Sequence, residues 1–159
     1  SAASRRHRRW CFVVLTGYVL AVLNLTVVKA YDERAVVLSP AEPMTISGSE
    51  IQIPLENIND GHLHRFAYTA SDGTEMRFIT IKKNEVAFGV GLDACDICGP
   101  TGYYERSDGV VCKLCDVVMN ISTIGFKGGC NPVPLSYTLN GGTMVIQTQN
   151  LEKEKKRFK

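Results

Sequence analysis

Between Arg9 and Lys29 the chain carries no charged residue, and the eighteen positions from Cys11 to Val28 read CFVVLTGYVLAVLNLTVV. In hydrocarbon every backbone N–H and C=O must be satisfied from within the chain, so a lone run of this kind that enters a bilayer has to be a helix. At about 1.5 Å per residue it reaches roughly 27 Å, the thickness of a thin bilayer core. Trp10 and Tyr31 flank it, where amphipathic rings suit the headgroup level. We therefore expect a transmembrane helix over residues 10–29.

Arg5, Arg6, Arg8 and Arg9 precede the run. By the positive-inside rule this places residues 1–9 in the cytoplasm as a basic segment, and the chain from Asp32 onward across the membrane. The run is longer than the core of a cleavable signal peptide, so it is expected to stay as an anchor, although Val28 and Ala30 have the sizes a cleavage site needs. Ser4-Arg5-Arg6 opens like a twin-arginine export signal, but Arg8 and Arg9 stand where that signal prefers apolar residues. Within the span, Gly17 and Ala21 form a small-xxx-small pair and Asn24 and Thr26 are polar, positions at which a neighbouring helix can approach.

Beyond the anchor the periodicity changes. Residues 30–44, AYDERAVVLSPAEPM, are short, polar and proline-containing, and read as a linker. EIQIPL then places Ile51, Ile53 and Leu55 on one face at period two, as a half-buried strand does. HLHRFAYT and EMRFITIK are joined by ASDGT, EVAFGV follows after KKN, and PLSYTL and TMVIQT flank NGG, a series of tight-turn signatures. Short strands at this spacing predict a mainly β, antiparallel sandwich or small barrel over residues 45–150, ending in a solvated charged tail, 151–159. Net charge is +2 with 21% charged residues, which marks no nucleic-acid-binding surface.

Five of the six cysteines fall between Asp93 and Pro132. Cys95 and Cys98 form one C-x-x-C, Cys112 and Cys115 a second, and Cys130 stands alone. Two such knuckles about a dozen residues apart suit a four-thiolate site, because each short turn brings two sulfurs to one centre and turns backbone N–H groups toward them. The spacing leaves the occupant open. An iron–sulfur cluster, [2Fe–2S] or [4Fe–4S], a zinc ion and a copper ion all use such donors. Disulfides are the structural alternative, but a bond inside C-x-x-C closes almost no loop and constrains the unfolded chain little. His62 and His64, at i and i+2 of a strand, would share a face and could hold a copper or ferrous ion, although surface histidines on strands are common. Tyr103 and Tyr104 lie between the knuckles, and Asp93 and Asp96 would place negative charge beside the first. Cys11 is expected to be inert within the span.

The order of these elements resembles a Rieske iron–sulfur domain, in which a sheet carries two cluster-binding loops, a proline-rich loop and a closing hairpin. Here these are EVAFGVGLDACDICG, GVVCKLCDVVMNISTIG, GGCNPVPLSY and NGGTMVI. The likeness implies two metal-binding loops on the β-domain, with Cys130 near the site. A Rieske loop carries one Cys and one His, whereas both positions read Cys here. An all-thiolate centre implies a potential near roughly −400 mV rather than about −150 to +300 mV. With no imidazole ligand, that potential should vary little between about pH 6 and 9.

LDACDICG, GYY, the second knuckle and GGCNPVPL, preceded by GHLHRFAYTASDGTEMRFITIK, are similar to the FtrD-like family of membrane iron–sulfur proteins associated with bacterial iron uptake. That resemblance implies ligation by Cys95, Cys98, Cys112 and Cys115 and extracytoplasmic electron transfer tied to iron transport. The partners implied are a membrane permease or redox subunits met through the helix, and an electron donor or acceptor protein outside the cytoplasm. No acid–base constellation stands out, so the expectation is an electron carrier, not an enzyme. A structural subunit held by zinc or disulfides, or a copper or iron carrier, are the alternatives.

Overall fold

The computed structural model describes residues 2–32 and 36–159. These divide into two compact units, Ser1–Val36 and Val37–Lys159. Residues 33–35, within the expected linker, and the side chains of Arg5, Arg6 and Arg8 lie outside what is described. The first unit is a single helix, α1, Ala2–Asp32. Its segment Arg9–Val28 has a mean hydropathy of 2.3 and no residue buried against protein. The Thr26 hydroxyl donates back to the carbonyls of Val22 and Leu23 at 3.0 and 2.9 Å, so it is satisfied inside its own helix.

The second unit is mainly β, with antiparallel strands in three open sheets. Strands β1 (Thr45–Ser47), β2 (Glu50–Pro54), β9 (Thr138–Asn140) and β10 (Thr143–Gln147) form one, in the order β1-β2-β10-β9. Strands β3 (His64–Thr69), β4 (Glu75–Lys82) and β5 (Phe88–Leu92) form the second. The third, β6 (Tyr103–Arg106), β7 (Gly109–Cys112) and β8 (Val118–Met119), carries the second knuckle. The arrangement is sandwich-like rather than a closed barrel. The period-two pattern holds in β2, where Ile51 and Ile53 are fully buried and pair with Ile146 and Met144 of β10. Leu55 packs, half-buried, on the same core, but as the first residue of a 3-10 turn and not as part of the strand. Pro54 ends the strand because it has no N–H to donate.

The middle sheet explains the packing. On one face of β4, Met76 and Phe78 join Phe66, Val90 and Leu92 against Ile51, Ile53, Met144 and Ile146. On its other face, Ile79 and Ile81 join Tyr103, Val110, Met119, Ile124 and two cysteines, Cys95 and Cys112. The strand is therefore buried on both sides over residues 78–81, whose sequence FITI shows no alternation of apolar and charged residues. The second core is where the thiols are rooted.

The charged tail is not a solvated end. Helix α2 (Thr148–Glu152) and a 3-10 turn over Lys155–Phe158 bring Leu151 and Phe158 onto the first core. Glu152 accepts from the Tyr68 hydroxyl at 2.9 Å and from the Ser71 amide at 2.7 Å. The part of the expected linker nearest the domain is likewise docked: Met44 packs on the first core, and the Glu42 amide donates to Arg65 O at 2.8 Å. The few apolar residues in these two segments explain both departures, because each uses one or two buried side chains amid polar sequence.

Candidate metal centre

The first knuckle continues directly from β5. Cys95 and Gly99 exchange both backbone hydrogen bonds at 3.1 Å. The loop closes this tightly because Gly99 takes φ +68°, a conformation side chains resist. The turn aims the Cys98 N–H at Cys95 Sγ, 3.0 Å away. The second knuckle ends β7, where Cys112 pairs with Tyr103 of β6. Its N–H donates to Val117 O at 3.0 Å, and its carbonyl accepts from the Asp116 N–H at 2.9 Å. The Lys113 N–H donates to Gly102 O at 2.9 Å and ties this knuckle to the strand entering from the first.

Cys130 arrives on a third element. The proline loop runs antiparallel along β5: Leu92 N–H donates to Val133 O at 2.7 Å, Val133 N–H to Ala94 O at 3.0 Å, and Leu135 N–H to Val90 O at 3.1 Å. The approach is so close at Gly91 that a Cβ there would stand 2.7 Å from Pro132 Cβ. Laying this loop beside the residue that precedes Cys95 brings Cys130 next to the knuckle thiols.

The sulfurs of Cys95, Cys98 and Cys130 lie within 4.8 Å of one another, and so do those of Cys98, Cys112 and Cys115. Cys98 belongs to both groups. Cys115 Sγ and Cys130 Sγ are 3.6 Å apart, and all five are free thiols. Exposure is graded: Cys95 and Cys112 are buried, Cys98 and Cys130 half-buried, and Cys115 exposed. Cys11 is exposed on α1.

The thiols have unlike acidities. Burial pushes Cys95 up, but the amides of Cys98 and Ile97 outweigh it and leave this thiol more acidic than usual. The Val117 amide holds Cys115 below its ordinary value. Cys98 is pushed well up, first by burial and then by the thiols of Cys115, Cys112 and Cys95 around it. Contact with Cys115 raises Cys130. Sulfurs crowded this closely cannot all carry negative charge unless a cationic centre sits among them. The donor set fits that demand, being all thiolate, with backbone N–H groups directed at the sulfurs. Soft donors of this kind suit an iron–sulfur cluster, zinc or cuprous copper.

Behind the sulfurs lies an ionic network. Asp93 is fully buried and receives Arg65 Nε at 2.9 Å, Arg77 Nε at 3.1 Å and the Tyr103 N–H at 2.8 Å. Arg65 also donates to Ser39 O at 2.8 Å and to the Tyr103 carbonyl. Asp93 therefore adds no uncompensated negative charge beside the knuckle, contrary to expectation. Asp96 is matched too, by Arg157 at 2.7 Å. The buried Tyr103 hydroxyl donates to Cys130 O at 2.6 Å, and burial, with Cys95 and Cys112 nearby, raises its pKa so that it stays a neutral donor. Tyr104 instead turns outward to Asp116, at 2.8 Å. The network's sequence signals were its two arginines, Arg65 and Arg77, each a charged residue inside a strand rich in apolar side chains.

His62 and His64 belong to neither thiol group and lie on separate carboxylates. His62 Nδ1 meets Glu105 at 2.9 Å in the open. His64 is buried, with Nδ1 3.0 Å from Glu42 and Nε2 2.9 Å from Asp60. Because ionised carboxylates only accept, both ring nitrogens of His64 carry protons when these bonds form.

Comparison with curated proteins and with solved structures finds no match. The model of the family described as membrane iron-sulfur containing protein, FtrD-like, matches residues 58–158. That span covers both knuckles, the proline loop with Cys130 and the packed tail, and with it this chain belongs to the FtrD-like family of membrane iron–sulfur proteins.

Proposed function

We propose that the protein is a membrane-anchored electron carrier whose domain stands outside the cytoplasm, with Cys95, Cys98, Cys112 and Cys115 ligating one iron–sulfur cluster in the service of an iron-transport complex. The observation that carries this reading is the gradient across the site. Its sulfurs are rooted in a core at Cys95 and Cys112 and reach solvent at Cys115. A centre held this way would be fixed by the fold yet close enough to the surface for a partner to exchange an electron with it. When bound, the cluster supplies the one-electron chemistry.

The chain's own part is to hold and tune. The amides of Cys98, Ile97 and Val117 favour the thiolate forms of Cys95 and Cys115. The buried pairing of Arg65 and Arg77 with Asp93 fixes the base of the first knuckle against β3 and β4. Helix α1 is the element through which a permease or redox subunit would be met, and the open face at Cys115 would receive a donor or acceptor protein outside the cytoplasm. The arginines that precede the apolar run, Arg5, Arg6, Arg8 and Arg9, support this orientation.

A structural role has one observation in its favour. Thiols within 4.8 Å of one another also suit a single tetrahedral zinc ion, whose bonds to sulfur are about 2.3 Å. Metal and acid-labile sulfide content of anaerobically purified protein, with an EPR spectrum after dithionite, separates the two. Iron and sulfide in near-equal amounts with a reduced-state signal is the expected result. Zinc alone would refute electron transfer, and copper without sulfide would refute the iron–sulfur cluster.

A further inference from the structure

Four thiolates complete the proposed cluster, yet five thiols converge. We infer that Cys130 is a resolving thiol: when the site is empty it closes a disulfide with Cys115, removing one ligand and making reloading depend on a thiol reductant. This inference rests on Cys115 being a ligand, as proposed above.

Three features single out this pair. Cys115 is the exposed member of the group, whereas Cys95 and Cys112 are buried, so an external oxidant reaches Cys115 first. Cys130 Sγ is already 3.6 Å from Cys115 Sγ, and a disulfide needs the sulfurs to approach to about 2.05 Å. The backbone before Cys130 can supply that movement. Gly128 and Gly129 precede it, and no heavy atom lies within 4 Å of where a Cβ would stand on either. The two cysteines are also 15 residues apart in sequence, so their bond closes a substantial loop, which one within a C-x-x-C does not.

The chemistry balances with a disulfide oxidant, such as oxidised glutathione. The Cys115 thiolate attacks one sulfur of the oxidant, forming a mixed disulfide and releasing one reduced thiol. The Cys130 thiolate then attacks Cys115 Sγ, forming the intramolecular bond and expelling the second reduced thiol. The oxidant's two sulfurs gain two electrons and the two thiol protons. Cys115 and Cys130 lose the same number.

The test uses the full chain in detergent, stripped of metal by a chelator under anaerobic conditions, treated with oxidised glutathione and then alkylated for peptide mapping. The expected product is a Cys115–Cys130 linked peptide with Cys95, Cys98 and Cys112 alkylated. Reloading with iron and sulfide should fall several-fold and recover on adding dithiothreitol. Cys130→Ser, checked for folding by circular dichroism, should form no such linkage. A Cys95–Cys98 or Cys112–Cys115 bond as the main product, or full alkylation of all five thiols, would overturn the inference. Because the linkage is read on metal-free protein, it can succeed or fail whichever metal the protein as purified contains.

Discussion

Arg65 and Asp93 meet at 2.9 Å with both side chains withdrawn from water, Arg65 reaching from β3 across β4 to the residue that follows β5 and leads into the first knuckle. Arg65→Met would leave the buried Asp93 with only the partly exposed Arg77 and the Tyr103 N–H, and should destabilise the domain by about 3 kcal/mol, the low end for breaking a buried pair. Arg65→Lys should rescue little, because one ammonium cannot replace the fork that reaches Asp93, Ser39 and Tyr103 together. Chemical denaturation of the two variants beside the parent checks both statements.

Substituting the thiols one at a time tests the ligand assignment. Serine at Cys95, Cys98, Cys112 or Cys115 should abolish or badly degrade the cofactor, while Cys130→Ser should retain most of it. Iron and sulfide content measured on each variant gives the answer, and an empty site in Cys130→Ser alone would show that the assignment of the four ligands is wrong.

His64 makes stability depend on pH. Burial opposes its charged form, but the carboxylates of Asp60 and Glu42 outweigh this and raise its pKa above the ordinary 6.5. A raised folded-state pKa gives stability that is fully present below 6.5 and lost as pH climbs through the raised value. His62, raised by exposed Glu105, contributes in the same direction but is screened by water. Urea midpoints measured at about pH 6 and about pH 9 should therefore diverge in the parent, diverge less in His64→Gln, and change little in His62→Gln.

Gly91 faces the proline loop with no space for a side chain, since Pro132 Cβ and Val133 O would stand 2.7 and 2.9 Å from an added Cβ. Gly91→Ala should cost about 1–3 kcal/mol through overpacking and displace the loop carrying Cys130. Thermal unfolding measures the first effect, and the yield of the Cys115–Cys130 linkage the second.

Leu151 is fully buried, so Leu151→Ala should destabilise the domain by about 2–5 kcal/mol. Arg157→Ala removes a partly exposed pair with Asp96 and should cost less than about 1 kcal/mol. Equilibrium unfolding of the two variants would show whether packing, not charge, holds this segment.

The parts legible in the sequence were those with a strict period or spacing. Ile51 and Ile53 announced a half-buried strand, the turn at Asp72-Gly73 a hairpin, and the two C-x-x-C pairs two thiol-bearing knuckles that the fold brings together. What escaped was long-range and polar. Nothing local in Asp93 says that two arginines from neighbouring strands meet it, and nothing in LEKEKKRFK says which of its few apolar side chains finds a core. Cys130 came to the site through backbone pairing of Val133 and Leu135 with β5, a register that leaves no mark on composition.

The pairing of β2 with β10 has a consequence for assembly. Ile53 meets Met144 and Ile51 meets Ile146, so β2, beyond its hairpin with the three-residue β1, gains its second neighbour only after both knuckles and the proline loop have been synthesised. Leu151 and Phe158 then close the same core, and Arg157 reaches back to Asp96. The order of synthesis therefore sets the order of packing: a nascent chain stalled before residue 143 would hold the middle sheet and both knuckles, while the face of β4 that carries Met76 and Phe78 would still lack Met144, Ile146 and Leu151.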